Sequence, residues 1–67
     1  MEVSERALFQ RVARALSKDG RKLVVNRRDE CWSVIELSRN VHERDIRDLE
    51  VEGRKLGVLK AWEALAQ

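Results

Sequence analysis

The spacing of apolar residues changes period twice along this chain. From Ser4 to Asp19, Leu8, Phe9, Val12, Ala15 and Leu16 recur at three- and four-residue intervals and share one broad helical face. Arg6, Gln10, Arg14 and Lys18 fall opposite, with Arg11 beside them. Ser4 suits the N-cap, and Gly20 suits the left-handed residue that closes a helix. The period then shortens. Leu23-Val24-Val25 predicts a strand from about Lys22 to Arg27, and Cys31 to Leu37 predicts a second. Arg27-Arg28-Asp29-Glu30 suits the hairpin loop between them. Ser38-Arg39-Asn40 reads as another turn, followed by a brief third strand at Val41 and His42.

Helical spacing returns after residue 44. Asp45 and Asp48 both suit an N-cap, and Ile46, Leu49 and Leu56 fall on one face. Gly53 interrupts this helix at a cost of about 1 kcal/mol relative to alanine. Close backbone approach to the sheet, or simple tolerance, accounts for it. Gly57 ends the helix, Val58 and Leu59 re-enter the core, and Lys60 to Ala66 predicts a short last helix with Trp62 and Leu65 on one side.

Alternation within the strands assigns faces. Leu23 and Val25 point one way, and Lys22, Val24 and Asn26 the other. Ser33, Ile35 and Leu37 oppose Trp32, Val34 and Glu36. The expected core is Leu8, Val12, Leu16, Leu23, Val25, Ile35, Leu37, Ile46, Leu49 and Leu56. Trp32, Val34 and Val24 then form an apolar patch on the far side of the sheet, rimmed by Lys22 and Glu36. A patch containing tryptophan is a common docking surface. The alternative is that the last helix, through Trp62 and Leu65, covers it.

Charge sharpens the picture. The net charge is only +2, but residues 1–28 hold eight Lys/Arg against three Asp/Glu, and residues 29–67 six against nine. The chain is therefore electrically polarised, which suits an anionic partner, self-association or two solvated surfaces. Arg11, Arg14 and Lys18, continued by Arg21 and Lys22, are the candidate nucleic-acid footprint, with no aromatic interleaved among them in sequence.

Catalytic chemistry finds little support. Cys31 and His42 are the only cysteine and histidine. One histidine rules out a His–His zinc pair, and nothing in the spacing shows that the two residues meet as nucleophile and base. Gly20, Gly53 and Gly57 are isolated, so no phosphate-binding glycine loop exists. No catalytic, metal or cofactor residue is expected. A single cysteine and an acidic, polar beginning predict a cytoplasmic protein, and no apolar run approaches a membrane span.

Two resemblances bear on this reading. Leu56-Gly57-Val58-Leu59-Lys60-Ala61-Trp62-Glu63 resembles the ending of a family of small uncharacterised bacterial proteins. There a helix, a hairpin and an aspartate-started helix precede Gly-Val-Leu-Lys-Pro-Trp-Glu. Ala61 stands where that pattern has proline, and Cys31-Trp32-Ser33 where it has tyrosines. This resemblance implies a fold and a bacterial setting, and carries no activity. The helix–strand–strand–strand–helix order also resembles the double-stranded-RNA-binding domain. That family uses a histidine in the first hairpin loop and lysines opening its last helix. Here the loop is Arg27-Arg28-Asp29-Glu30, and the helix opens with the acidic Asp45-Ile46-Arg47-Asp48-Leu49-Glu50, which repels phosphate.

The sequence thus predicts one α+β domain over residues 1–67. An N-terminal helix, a two- or three-stranded antiparallel meander, a C-terminal helix and a short terminal helix pack on one sheet face. The expected function is non-enzymatic: a small binding or adaptor protein without cofactor, acting on a protein partner, or by self-association, through Trp32, Val34 and Val24. The alternative is a weak nucleic-acid-binding protein using Arg11, Arg14, Lys18, Arg21 and Lys22.

Overall fold

Ser4 begins the first helix as its spacing predicts. Its hydroxyl accepts the Ala7 amide at 3.1 Å and caps α1, Glu5–Lys18. Gly20, at φ 74°, turns the chain into the sheet. In this computed structural model, which describes residues 1–66, the element order is β1 (Glu2–Val3), α1, β2 (Arg21–Asn26), β3 (Cys31–Glu36), β4 (Val41–Ile46), α2 (Leu49–Lys55) and β5 (Ala64–Leu65). The protein is α+β: β2, β3 and β4 form an antiparallel sheet, and β1 and β5 pair parallel as a separate two-stranded ribbon.

Both hairpins use the same device. Residues 27–30 and 37–40 are four-residue loops, and each ends in a left-handed residue, Glu30 at φ 52° and Asn40 at φ 53°. Asn40 tolerates that conformation, as expected, whereas Glu30 adopts it at some steric cost.

The first loop sets the sheet register. An even number of loop residues pairs odd positions of β2 with even positions of β3: Leu23 faces Val34, and Val25 faces Trp32. Opposed residues share a face, so Trp32 and Val34 lie with Leu23, not with Val24. This corrects the expected faces. Val34 is wholly buried and belongs to the core, and Ile35 is on the opposite face, half-buried. Val25 shares the inner face but sits near the hairpin tip, 51% exposed. Leu37 is 52% exposed in the second loop, and Leu56 is half-buried at the end of α2.

The core is one cluster. Leu8, Val12 and Leu16 of α1 meet Leu23, Val34 and Ile46 of the sheet, Leu49 of α2, Val3 of β1 and Leu59. Six of the ten expected core residues belong to it, and Val3, Val34 and Leu59 replace the rest. The third strand is longer than expected, running to Ile46, with a bulge where Glu43 is inserted opposite the Val34/Ile35 step. Asp45 therefore lies in β4, and Asp48 alone caps α2, accepting the Glu50 and Val51 amides at 3.0 and 3.2 Å. A Cβ on Gly53 would stand 2.9 Å from Leu8 Cδ1 and 3.3 Å from Leu59 Cβ. The glycine permits close approach, but to α1 and the C-terminal segment rather than to the sheet.

The expected last helix is absent. Lys60–Glu63 forms a turn, and β5 pairs with β1 through Ala64 N–H to Met1 O at 2.9 Å and Ala66 N–H to Val3 O at 2.8 Å. A seven-residue helix gains little by itself. Pairing with a strand that buries Val3 satisfies the same backbone groups and fills the core.

Candidate nucleic-acid interface

The amphipathic pattern of α1 puts Arg11, Arg14 and Lys18 along one side of the helix, beside the C-terminal segment. That segment is held by charge. Arg11 Nη1 donates to Val58 O at 3.1 Å and to both Glu63 carboxylate oxygens at 3.0 and 3.1 Å. Glu63 is buried and also accepts the Lys60 amide at 2.9 Å. That amide, with Arg11 second, holds the Glu63 carboxyl below its ordinary pKa. Arg54 grips the other side of the turn, donating to Lys60 O at 3.1 Å and Glu63 O at 2.8 Å. Glu50 accepts the Leu65 amide at 3.0 Å. The turn is fixed from both sides, and Trp62 projects from it, 69% exposed.

Between this turn and α1 lies an open groove of about 460 Å³. Arg14, Ala15 and Lys18 line one wall, and Gly57, Val58, Lys60 and Trp62 the other, with Arg11 and Glu63 also at its lining. Arg11 is neutralised by Glu63. Among the described residues, Arg14, Lys18 and Lys60 make no ion pair, so the groove is cationic and has an aromatic wall.

The five sequence-predicted basic residues therefore separate. Arg14 and Lys18 face the groove. Arg11 is occupied in holding the C-terminal segment. Arg21 turns to Glu43, with Nε 2.9 Å from the carboxylate, and that hydrogen bond raises its pKa. Lys22 lies on the outer sheet face opposite Ile35, outside the groove lining. Lys60 and Trp62 were missed. The only signal for them was a tryptophan beside a lysine near the C-terminus, and helical spacing turned that tryptophan inward.

Trp32, Val34 and Val24 do not form one patch. Val34 has no exposed surface, and Val24 lies on the opposite face, 38% exposed. Trp32 is half-buried and, with Phe9 and Val25, lines a second groove of about 580 Å³ between the start of α1 and the first hairpin tip. The last segment does not cover the outer face as a helix.

On that outer face Asp45 Oδ1 lies 2.7 Å from His42 Nε2 and accepts the Ser33 hydroxyl at 3.0 Å. Both bonds, His42 first, hold Asp45 below its ordinary pKa. The order is wrong for a nucleophilic serine, because the hydroxyl meets the carboxylate and not the imidazole. Cys31 is buried, and burial pushes its thiol up, away from thiolate. Its strand position is four residues from Ile35, the partner of His42, which separates the two by about 13 Å along the strand. Among the described residues no group of three potential ligands is placed to hold a metal ion, and no helix is long and apolar enough to cross a membrane.

Comparison with protein-family models, curated proteins and solved structures found no match.

Proposed function

We propose that this is a non-enzymatic nucleic-acid-binding protein whose site is the groove between α1 and the Lys60–Glu63 turn. The supporting observation is the exposed indole of Trp62 sharing that groove with Arg14, Lys18 and Lys60, none of them in an ion pair among the described residues. Cations neutralise phosphates and release counterions, and an indole offers a stacking surface to any base. The net charge of +2 fits modest rather than tight affinity. The single cysteine suits the reducing cytoplasm, where such a partner is available.

The test is binding of a generic oligonucleotide across a salt series. Three phosphates met by three cations give a slope of about −2 in the log–log plot for a single strand, or about a 20-fold loss between 50 and 200 mM salt. Replacing Arg14, Lys18 and Lys60 together by alanine flattens that dependence. Arg11 is left in place, because it holds the C-terminal segment. No binding at low salt, or an unchanged slope in the triple variant, refutes the proposal.

A second reading keeps the protein-binding function but moves its site. Trp32, Phe9 and Val25 open onto the second groove, which has room for an apolar side chain of a protein partner. In that reading Trp32→Ala abolishes partner capture while Val24→Ala does not. Equal loss in both variants removes it.

A further inference from the structure

The groove sets one exposed aromatic side chain among cations. Among the described residues Trp62 is the only strongly exposed aromatic side chain, since Trp32 and Phe9 are half-buried. It stands on a turn clamped by Arg54 on one side and by the Arg11–Glu63 pair on the other, so its backbone is already ordered before any ligand arrives. Preorganisation of this kind reduces the entropy lost on binding. Across the groove, Arg14 and Lys18 are four residues apart on α1, a rise of about 6 Å along the helix axis. That spacing suits consecutive phosphates of one extended strand. The space between the walls, about 460 Å³, is large enough to accept a single nucleotide. In a duplex the π-faces of the bases are covered by their neighbours and cannot reach the indole. In a single strand they can.

Resting on the nucleic-acid reading above, we infer that the groove selects single-stranded nucleic acid, stacking one base on Trp62 while Arg14 and Lys18 meet adjacent phosphates. Lys60, two residues before Trp62 on the same turn, adds a third positive charge. Specificity for base identity is not expected from stacking, because every base has a π-face.

The experiment uses the full chain carrying Trp32→Phe, so that fluorescence reports Trp62 alone. The probes are a ten-residue oligothymidylate, a G·C-rich hairpin duplex that stays paired at low salt, and polyglutamate, all at the same low salt. The expected result is quenching of Trp62 by the single strand and at least tenfold tighter binding of it than of the duplex. With affinity read from the anisotropy of dye-labelled probes, Trp62→Ala loses about 5- to 100-fold in single-strand affinity and abolishes the preference, whereas Trp62→Phe retains most of it. Circular dichroism of Trp62→Ala should match the parent, because the side chain is exposed. Equal binding of strand and duplex, without quenching, overturns single-strand selection and leaves the groove as a phosphate site. Polyglutamate binding as tight as the oligonucleotide's, insensitive to Trp62→Ala, also overturns it and points to an acidic protein. Absence of binding to either nucleic acid overturns the functional reading itself.

Discussion

The same chemical deletion at two valines tests the sheet register. Val34→Ala and Val25→Ala each remove two methylene equivalents from a strand. Val34 has no exposed surface and faces Leu23 within the core, whereas Val25 is 51% exposed at the hairpin tip. Burying two methylenes is worth about 1.6 kcal/mol, so about half of that is at stake for Val25. Val34→Ala also leaves a cavity walled by packed side chains, which raises its cost to about 2–3 kcal/mol. The loss of strand propensity is common to both and cancels in the comparison. For a domain of this size the difference is large: a fall in Tm of about 10–20 °C against about 3–6 °C. Urea unfolding followed by far-ultraviolet circular dichroism measures both, and avoids the tryptophan signal, since Trp32 is the cross-strand partner of Val25. A Val25→Ala cost equal to or above that of Val34→Ala refutes the register and restores the alternative pairing of Leu23 and Val25 with Ile35.

Arg11→Ala should lower Tm and speed amide exchange at Ala64 and Ala66, whose N–H groups hold β5 to β1, while Arg14→Ala on the same helix changes neither. Gly53→Ala should destabilise by about 1 kcal/mol in chemical unfolding: overpacking against wholly buried Leu8 costs about 1–3 kcal/mol and helix propensity returns about 1. A stabilised variant would show that Leu8 repacks freely. Acid should destabilise the fold, because Glu52, chiefly through its hydrogen bond to Arg44, releases its proton more readily folded than unfolded, as do Glu36, Asp45 and Glu63. The stabilisation is complete above the unfolded carboxylate pKa of about 4 and disappears as pH falls through the lower folded values. Glu52→Gln should cost about 1–2 kcal/mol at pH 7, since Arg44 is 42% exposed and water offsets part of the lost pair, and its difference from the parent should shrink in acid unfolding series. A difference that widens below pH 4 would show the opposite linkage.

Much of the architecture is written locally. Helical spacing and the Ser4 cap place α1, because capping and periodicity act within a few residues, whereas Asp45 and Asp48 both suit the α2 cap and the length of β4 selects Asp48. Even the register was legible: a four-residue loop at Arg27–Glu30 requires odd-to-even pairing, whereas apolar alternation considered strand by strand leaves that parity open. Tertiary structure decided the rest. Two-residue strands have too few positions to show a period, so the pairing of β1 with β5 has no local signature. Arg11 and Glu63 are 52 residues apart, and their meeting depends on how α2 and the C-terminal segment fold back over α1. That meeting removes Arg11 from the basic face and fixes the turn that carries Trp62. The sequence alone determined a basic helix face; only packing placed an aromatic side chain across from it, because side-chain neighbours contributed by distant segments are set by the shared core and not by spacing along the chain.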